Sequence, residues 1–150
     1  MAGKPSKKAA KKVKPSGPVP CAVLWGLDPS GEKGAAVRGV LREMGIVART
    51  VTYERLGDPV GALARLVGMR PALMPYAGPE PSCPEFVLLC GLTSVQVDEF
   101  IARSREADCT VGAKAMLTKV NRTWPFVRLV EAVAAEHLAN AAAEGEKRTE

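Results

Sequence analysis

Phe86-Val87-Leu88-Leu89-Cys90-Gly91-Leu92 carries no charge and is bounded by Pro84-Glu85 on one side and Thr93-Ser94 on the other. A short continuous apolar run between turn signals reads as a buried strand. Cys21-Ala22-Val23-Leu24-Trp25-Gly26-Leu27 has the same form and the same Gly-Leu ending, followed by Asp28-Pro29. The two runs divide the chain into two halves of similar order, and the rest of the sequence can be read outward from them.

After the first run, Ser30 is placed to cap a helix carrying Val37, Val40, Leu41 and Met44, with Gly45 as its C-terminal stop. Val47 to Tyr53 is rich in β-branched and aromatic residues and reads as a second strand. Asp58-Pro59 then opens another helix, with Asp as cap, Pro in the first turn and Leu63, Leu66 and Val67 along it. After the second run, Thr93 or Ser94 caps a helix with Val97, Phe100 and Ile101. Val111 to Leu117 is the next strand. Thr123 and Pro125 open a final helix with Phe126, Leu129, Val130, Val133 and His137 on one face. Both closing helices contain Arg-Leu-Val, at Arg65-Leu66-Val67 and Arg128-Leu129-Val130.

The expected fold class is therefore α/β. Two βαβα-type halves, 21–68 and 85–144, form a roughly four-stranded sheet with helices packed on it. Each strand–helix–strand unit should be parallel. A ferredoxin-like arrangement and a small open sheet both fit. Residues 69–84, with Pro71, Pro75, Pro79, Pro81 and Pro84, read as an extended linker, and the repeated order suggests an internal duplication.

The chain has 150 residues, 47% apolar and 25% charged, which suits one soluble globular domain spanning 21–144. The net charge of +5 comes from Lys4, Lys7, Lys8, Lys11, Lys12 and Lys14, in a segment with no acid. Without them the remaining basic residues fall just short of the 16 acidic ones. Residues 1–20 hold almost no large apolar side chain and are expected to be a disordered basic tail, and residues 145–150 a disordered C-terminus. No secretory or membrane-spanning pattern is read, so the expected location is the cytoplasm. Such a tail would give weak, salt-dependent nucleic-acid binding through phosphate neutralisation.

Cys21, Cys83, Cys90 and Cys109 are widely spaced and His137 is the lone histidine, so neither a zinc site nor any cofactor is expected. Gly26 to Gly34 follows a strand and opens a helix, but Glu32 stands where a phosphate-binding loop requires Lys, and no Ser or Thr follows Lys33. The informative stretch is Thr118-Lys119-Val120-Asn121-Arg122-Thr123-Trp124, between a strand end and a helix start. Ligands of open α/β sheets gather at such places, because free backbone N–H groups favour anions. Lys114 lies on the same face of the strand as Thr118. Lys114, Thr118, Lys119, Asn121, Arg122, Trp124, Glu136 and His137 are thus the residues expected to bind a ligand or partner. Thr118, Asn121 and Thr123 are also ordinary turn and cap residues.

Lys114-Ala115-Met116-Leu117-Thr118, followed by Asn121, Trp124 and Glu136-His137, resembles the C-terminal signature of a bacterial family of unknown function. The resemblance runs in order of elements from about Cys21 to Leu138. Lys119-Val120 replaces the Pro-Thr often found after the threonine. The family implies no activity. The leading expectation is a binding or regulatory module acting through the 118–124 loop. The rivals are a small cofactor-independent enzyme using Lys114, Asn121 and His137, and nucleic-acid association through the tail.

Overall fold

The structure, a computed structural model, describes residues 19–136. Its strands are β1 (Cys21–Trp25), β2 (Val47–Thr50), β3 (Phe86–Cys90) and β4 (Lys114–Met116). Its helices are α1 (Glu32–Glu43), α2 (Val60–Leu63) and α3 (Ser94–Glu106), with a fourth, α4, over 126–136. Short 3₁₀ turns occupy Tyr53–Arg55 and Asn121–Thr123. The six-lysine segment and His137 lie outside the described residues. None of the described helices is long and apolar enough to cross a membrane.

The sheet is open and mixed, in the order β2-β1-β3-β4. β1 and β2 are parallel, β3 and β4 are parallel, and the two halves meet in an antiparallel β1–β3 ladder. That ladder is self-complementary. Sliding the sequence until Gly26 falls on Gly91 carries Val23 onto Leu88, and those two residues are partners in the ladder. The central strands are buried on both faces, which is why their sequences are continuous apolar runs.

Side-chain alternation divides the core into two layers. Ala22, Leu24, Val87 and Leu89 face the crossover helices, packing with Val37, Val40 and Leu41 of α1 and Phe100 of α3. Cys21, Val23, Phe86, Leu88 and Cys90 face the other way, toward Val60 of α2 and Phe126, Leu129 and Val130 of α4. The halves meet a second time there. Val60 N–H donates to the Trp124 carbonyl at 2.8 Å and Phe126 N–H to the Asp58 carbonyl at 2.9 Å, with Pro59 opposite Pro125.

The crossover helices end alike. At α1, Gly45 has φ 74° and Ile46 N–H reaches back to the Leu41 carbonyl at 2.9 Å. At α3, Asp108 takes φ 57° and Cys109 N–H reaches the Ser104 carbonyl at 2.8 Å. Both are left-handed stops that satisfy the last-turn carbonyls, and each buries the apolar residue that follows. Thr93 caps α3 in a reciprocal box with Gln96.

Several local expectations give way to other hydrogen bonds, one local and one tertiary. Ser30 does not cap α1; its N–H and hydroxyl both donate to the Asp28 carboxylate, and Gly31 stands at the helix start. Asp58 does not cap α2; its carboxylate accepts the Ala72 N–H at 3.0 Å and so ties down the proline-rich segment. α2 is a single turn, and Val67 beyond it is fully exposed. The two Arg-Leu-Val tripeptides are not equivalent, because Pro59 opposite Pro125 puts Leu63, not Leu66, in the place of Leu129. β2 and β4 are also shorter than the expected strands, Val47 to Tyr53 and Val111 to Leu117.

Candidate functional site

Asn121 organises the 118–124 loop. Its side-chain oxygen accepts the Thr118 N–H at 2.9 Å, its amide donates to the Met116 carbonyl at 3.0 Å, and its own N–H donates to the Thr118 hydroxyl at 3.0 Å. The side chain is buried, so all of its hydrogen-bonding serves the turn. The loop backbone also rests on α2, where a Cβ at Gly61 would come within 3.0 Å of the Arg122 carbonyl. Trp124 packs against the core with one face and carries the Arg128 guanidinium 4.2 Å from its ring centroid. This is a cation–π contact that fixes both side chains.

The loop presents Lys119, Val120 and Arg122 to solvent, with Val120 71% exposed. From Cys109 to Val130 the chain holds Lys114, Lys119, Arg122 and Arg128 and no acid. Lys114 belongs to a different surface. Its ammonium is half-buried and donates to the Val111 carbonyl at 2.6 Å, and burial holds it below the usual lysine range. Glu136 is exposed at the last described turn of α4. The geometry therefore gathers Thr118, Lys119, Asn121, Arg122 and Trp124 into one turn and leaves Lys114 turned away toward residue 111.

A second feature was invisible in sequence. Cys21 and Cys90, far apart in the chain, are opposite residues of the β1–β3 ladder and are fully buried. Their mutual hydrogen bond lowers the Cys21 thiol to about 6 against the upward pull of burial, with Arg49 on β2 adding to the lowering. The same hydrogen bond, with burial, pushes Cys90 up. An unfolded cysteine titrates near ~8.5. Between about 6 and that value the unfolded chain holds a proton that folded Cys21 has lost, so stability rises with pH, and this contribution disappears as pH falls through about 6. Above the unfolded value Cys90 acts in the opposite sense. Thermal midpoints measured across that window should climb less steeply in Cys21→Ser than in the wild type. Parallel curves would show that Cys21 contributes nothing to the pH dependence.

The comparison with protein families meets the chain at this loop. Residues 85–139 match the model of a family described as Domain of unknown function (DUF3783). No curated protein and no solved structure matches the chain. The DUF3783 match starts at Glu85, one residue before β3, and takes in α3, β4, the Asn121 turn and the described part of α4. β1, α1, β2, α2 and the proline-rich segment lie outside it. The matched residues thus supply one half of the sheet, and their strand β3 has one of its two neighbours in residues beyond the match.

Proposed function

We propose that this chain is a non-enzymatic binding module that docks an acidic segment of a protein partner on the Thr118–Trp124 loop. The observation that carries this reading is the pairing of a pre-ordered turn with outward cations. Thr118 and Asn121 hold the backbone, so little ordering entropy is lost when Lys119, Val120 and Arg122 meet a partner. The acid-free run from Cys109 to Val130 favours a negative surface and disfavours a positive one. An enzymatic reading has less to stand on, since the Lys114 ammonium and the Asn121 amide are spent on neighbouring backbone groups.

The test uses a fluorescein-labelled acidic decapeptide, such as oligoglutamate, and fluorescence anisotropy. The double reversal Lys119→Glu with Arg122→Glu is expected to weaken binding by roughly tenfold, since each exposed charge contributes on the order of 0.5–1 kcal/mol. Both side chains are exposed, so the thermal midpoint should stay within about two degrees of wild type. Peptide binding that survives the double reversal unchanged would sink the proposal, because the tail lysines would then account for it.

A further inference from the structure

A pocket opens in the first half, where α2 stops. It has a volume of about 470 Å³ and is lined by Arg49, Arg55 and Arg65, with Leu63, Leu66 and Met69 among its apolar residues. Volumes of several hundred Å³ suit small organic ligands. From three arginines lining one pocket together with apolar residues, we propose that this pocket binds a phosphate monoester of a small organic molecule, with the phosphoryl group on the arginines and the organic part along Leu63, Leu66 and Met69.

Four observations support it. First, among the described residues Arg49 and Arg65 have no ion-pair partner, and the Arg49 Nε is buried without a hydrogen bond. A buried guanidinium N–H without an acceptor is costly, and a ligand oxygen would remove that cost. Second, the pocket's acid is already engaged. Asp58 accepts the Ala72 N–H and faces Arg55 at 3.5 Å, so it neutralises neither Arg49 nor Arg65, whose charge is felt instead at the Cys21 thiol beneath the pocket.

Third, Arg65, which lines the pocket, adopts φ 64°, a left-handed conformation unfavourable for a side chain of this kind. There the chain leaves α2 after a single turn. The Leu66 N–H closes back on the Gly61 carbonyl at 2.9 Å, and the space beside Val23 and Arg49 stays open. In the other half, α4 runs on through Val130, Val133 and Ala134, and Ala115 occupies the place of Arg49 and is packed over. Fourth, the chemistry selects phosphate over carboxylate. A carboxylate carries one charge on two coplanar oxygens, whereas a phosphoryl group carries close to two charges on three terminal oxygens spread around phosphorus, which suits several guanidiniums better.

Calorimetry on the full chain tests this with phenyl phosphate, inorganic phosphate and benzoate as probes. Phenyl phosphate should bind most tightly, inorganic phosphate about tenfold more weakly for want of the apolar contact, and benzoate more weakly still. Arg49→Gln should reduce phenyl phosphate affinity by tenfold or more. Arg65→Gly separates binding from folding, because glycine accepts the positive φ without strain. Its thermal midpoint should equal or exceed that of the wild type while its affinity drops by a similar factor. Lys119→Glu with Arg122→Glu should leave phenyl phosphate binding intact, so the pocket and the loop succeed or fail separately. Equal affinity for benzoate and phenyl phosphate, or full binding by both arginine variants, would overturn the assignment.

Discussion

Phe126→Ala should destabilise the chain by about 4 kcal/mol, within the range for emptying a buried aromatic site. Phe126 is fully buried and meets Phe86 edge-to-face, with ring centroids 5.5 Å apart. It therefore joins the first turn of α4 to the strand at the middle of the sheet. Its backbone N–H is bonded to the Asp58 carbonyl, which limits how far the helix can slide inward to fill the void. A site that cannot collapse lies at the costly end of the range. Phe126→Leu retains most of the volume and should cost about 1.5 kcal/mol. Denaturant unfolding monitored by circular dichroism measures both. A loss below about 1.5 kcal/mol for the alanine variant would mean that α4 is not locked against β3 as described. Since whole domains are stable by roughly 5–15 kcal/mol, the alanine variant should lose between about a quarter and four-fifths of the total stability.

Gly26→Ala is expected to cost about 4 kcal/mol or more, and its control is Gly45→Ala. Both glycines have a positive φ, 76° and 74°. They differ in surroundings. A Cβ on Gly26 would lie 1.8 Å from the Pro84 carbonyl oxygen, whereas one on Gly45 would meet nothing within 4 Å. Gly45→Ala should therefore cost only the backbone term, about 1 kcal/mol. Gly26→Ala adds a backbone clash at the point where the proline-rich segment returns to begin β3. If the two variants melted at the same temperature, the close approach of Gly26 to Pro84 would be refuted.

The architecture was legible because the strongest signals were local. Two apolar heptamers ending in Gly-Leu gave β1 and β3, and Gly45 and Thr93 marked helix ends correctly through backbone conformation and side-chain capping. The misreadings involve polar groups that found a different partner from the one their position suggested, near in sequence for Ser30 and distant for Asp58. Asp58 has the ideal position for a cap, yet Ala72 offers its carboxylate a bond that also pins a loop. Ser30 sits where a cap belongs but closes a turn with Asp28. The Arg-Leu-Val match looked like a repeat because spacing alone cannot tell a helical arginine from one at φ 64°. The loop residues Thr118, Asn121 and Trp124 were identifiable as a group because they are adjacent in sequence. The arginine pocket and the facing Cys21 and Cys90 were not. Their members come together only through the register of β1 with β2 and β3, and single-sequence periodicity carries no register.

The β1–β3 ladder has one more consequence. A seam centred on one self-matched pair, Val23 with Leu88, in which Cys21 meets the counterpart of Trp25 and Trp25 the counterpart of Cys21, has the form of an isologous interface between two separate molecules. Nothing in its rungs distinguishes a first half from the same chain and a first half from another copy. Two chains could trade halves and keep every strand pair. What specifies the closed monomer is the connection between the halves, anchored where Asp58 holds Ala72, where Tyr76 N–H bonds Glu54 and where Ser82 bonds Glu131. The segment that contributes no strand to the sheet thereby favours pairing a first half with the second half of its own chain.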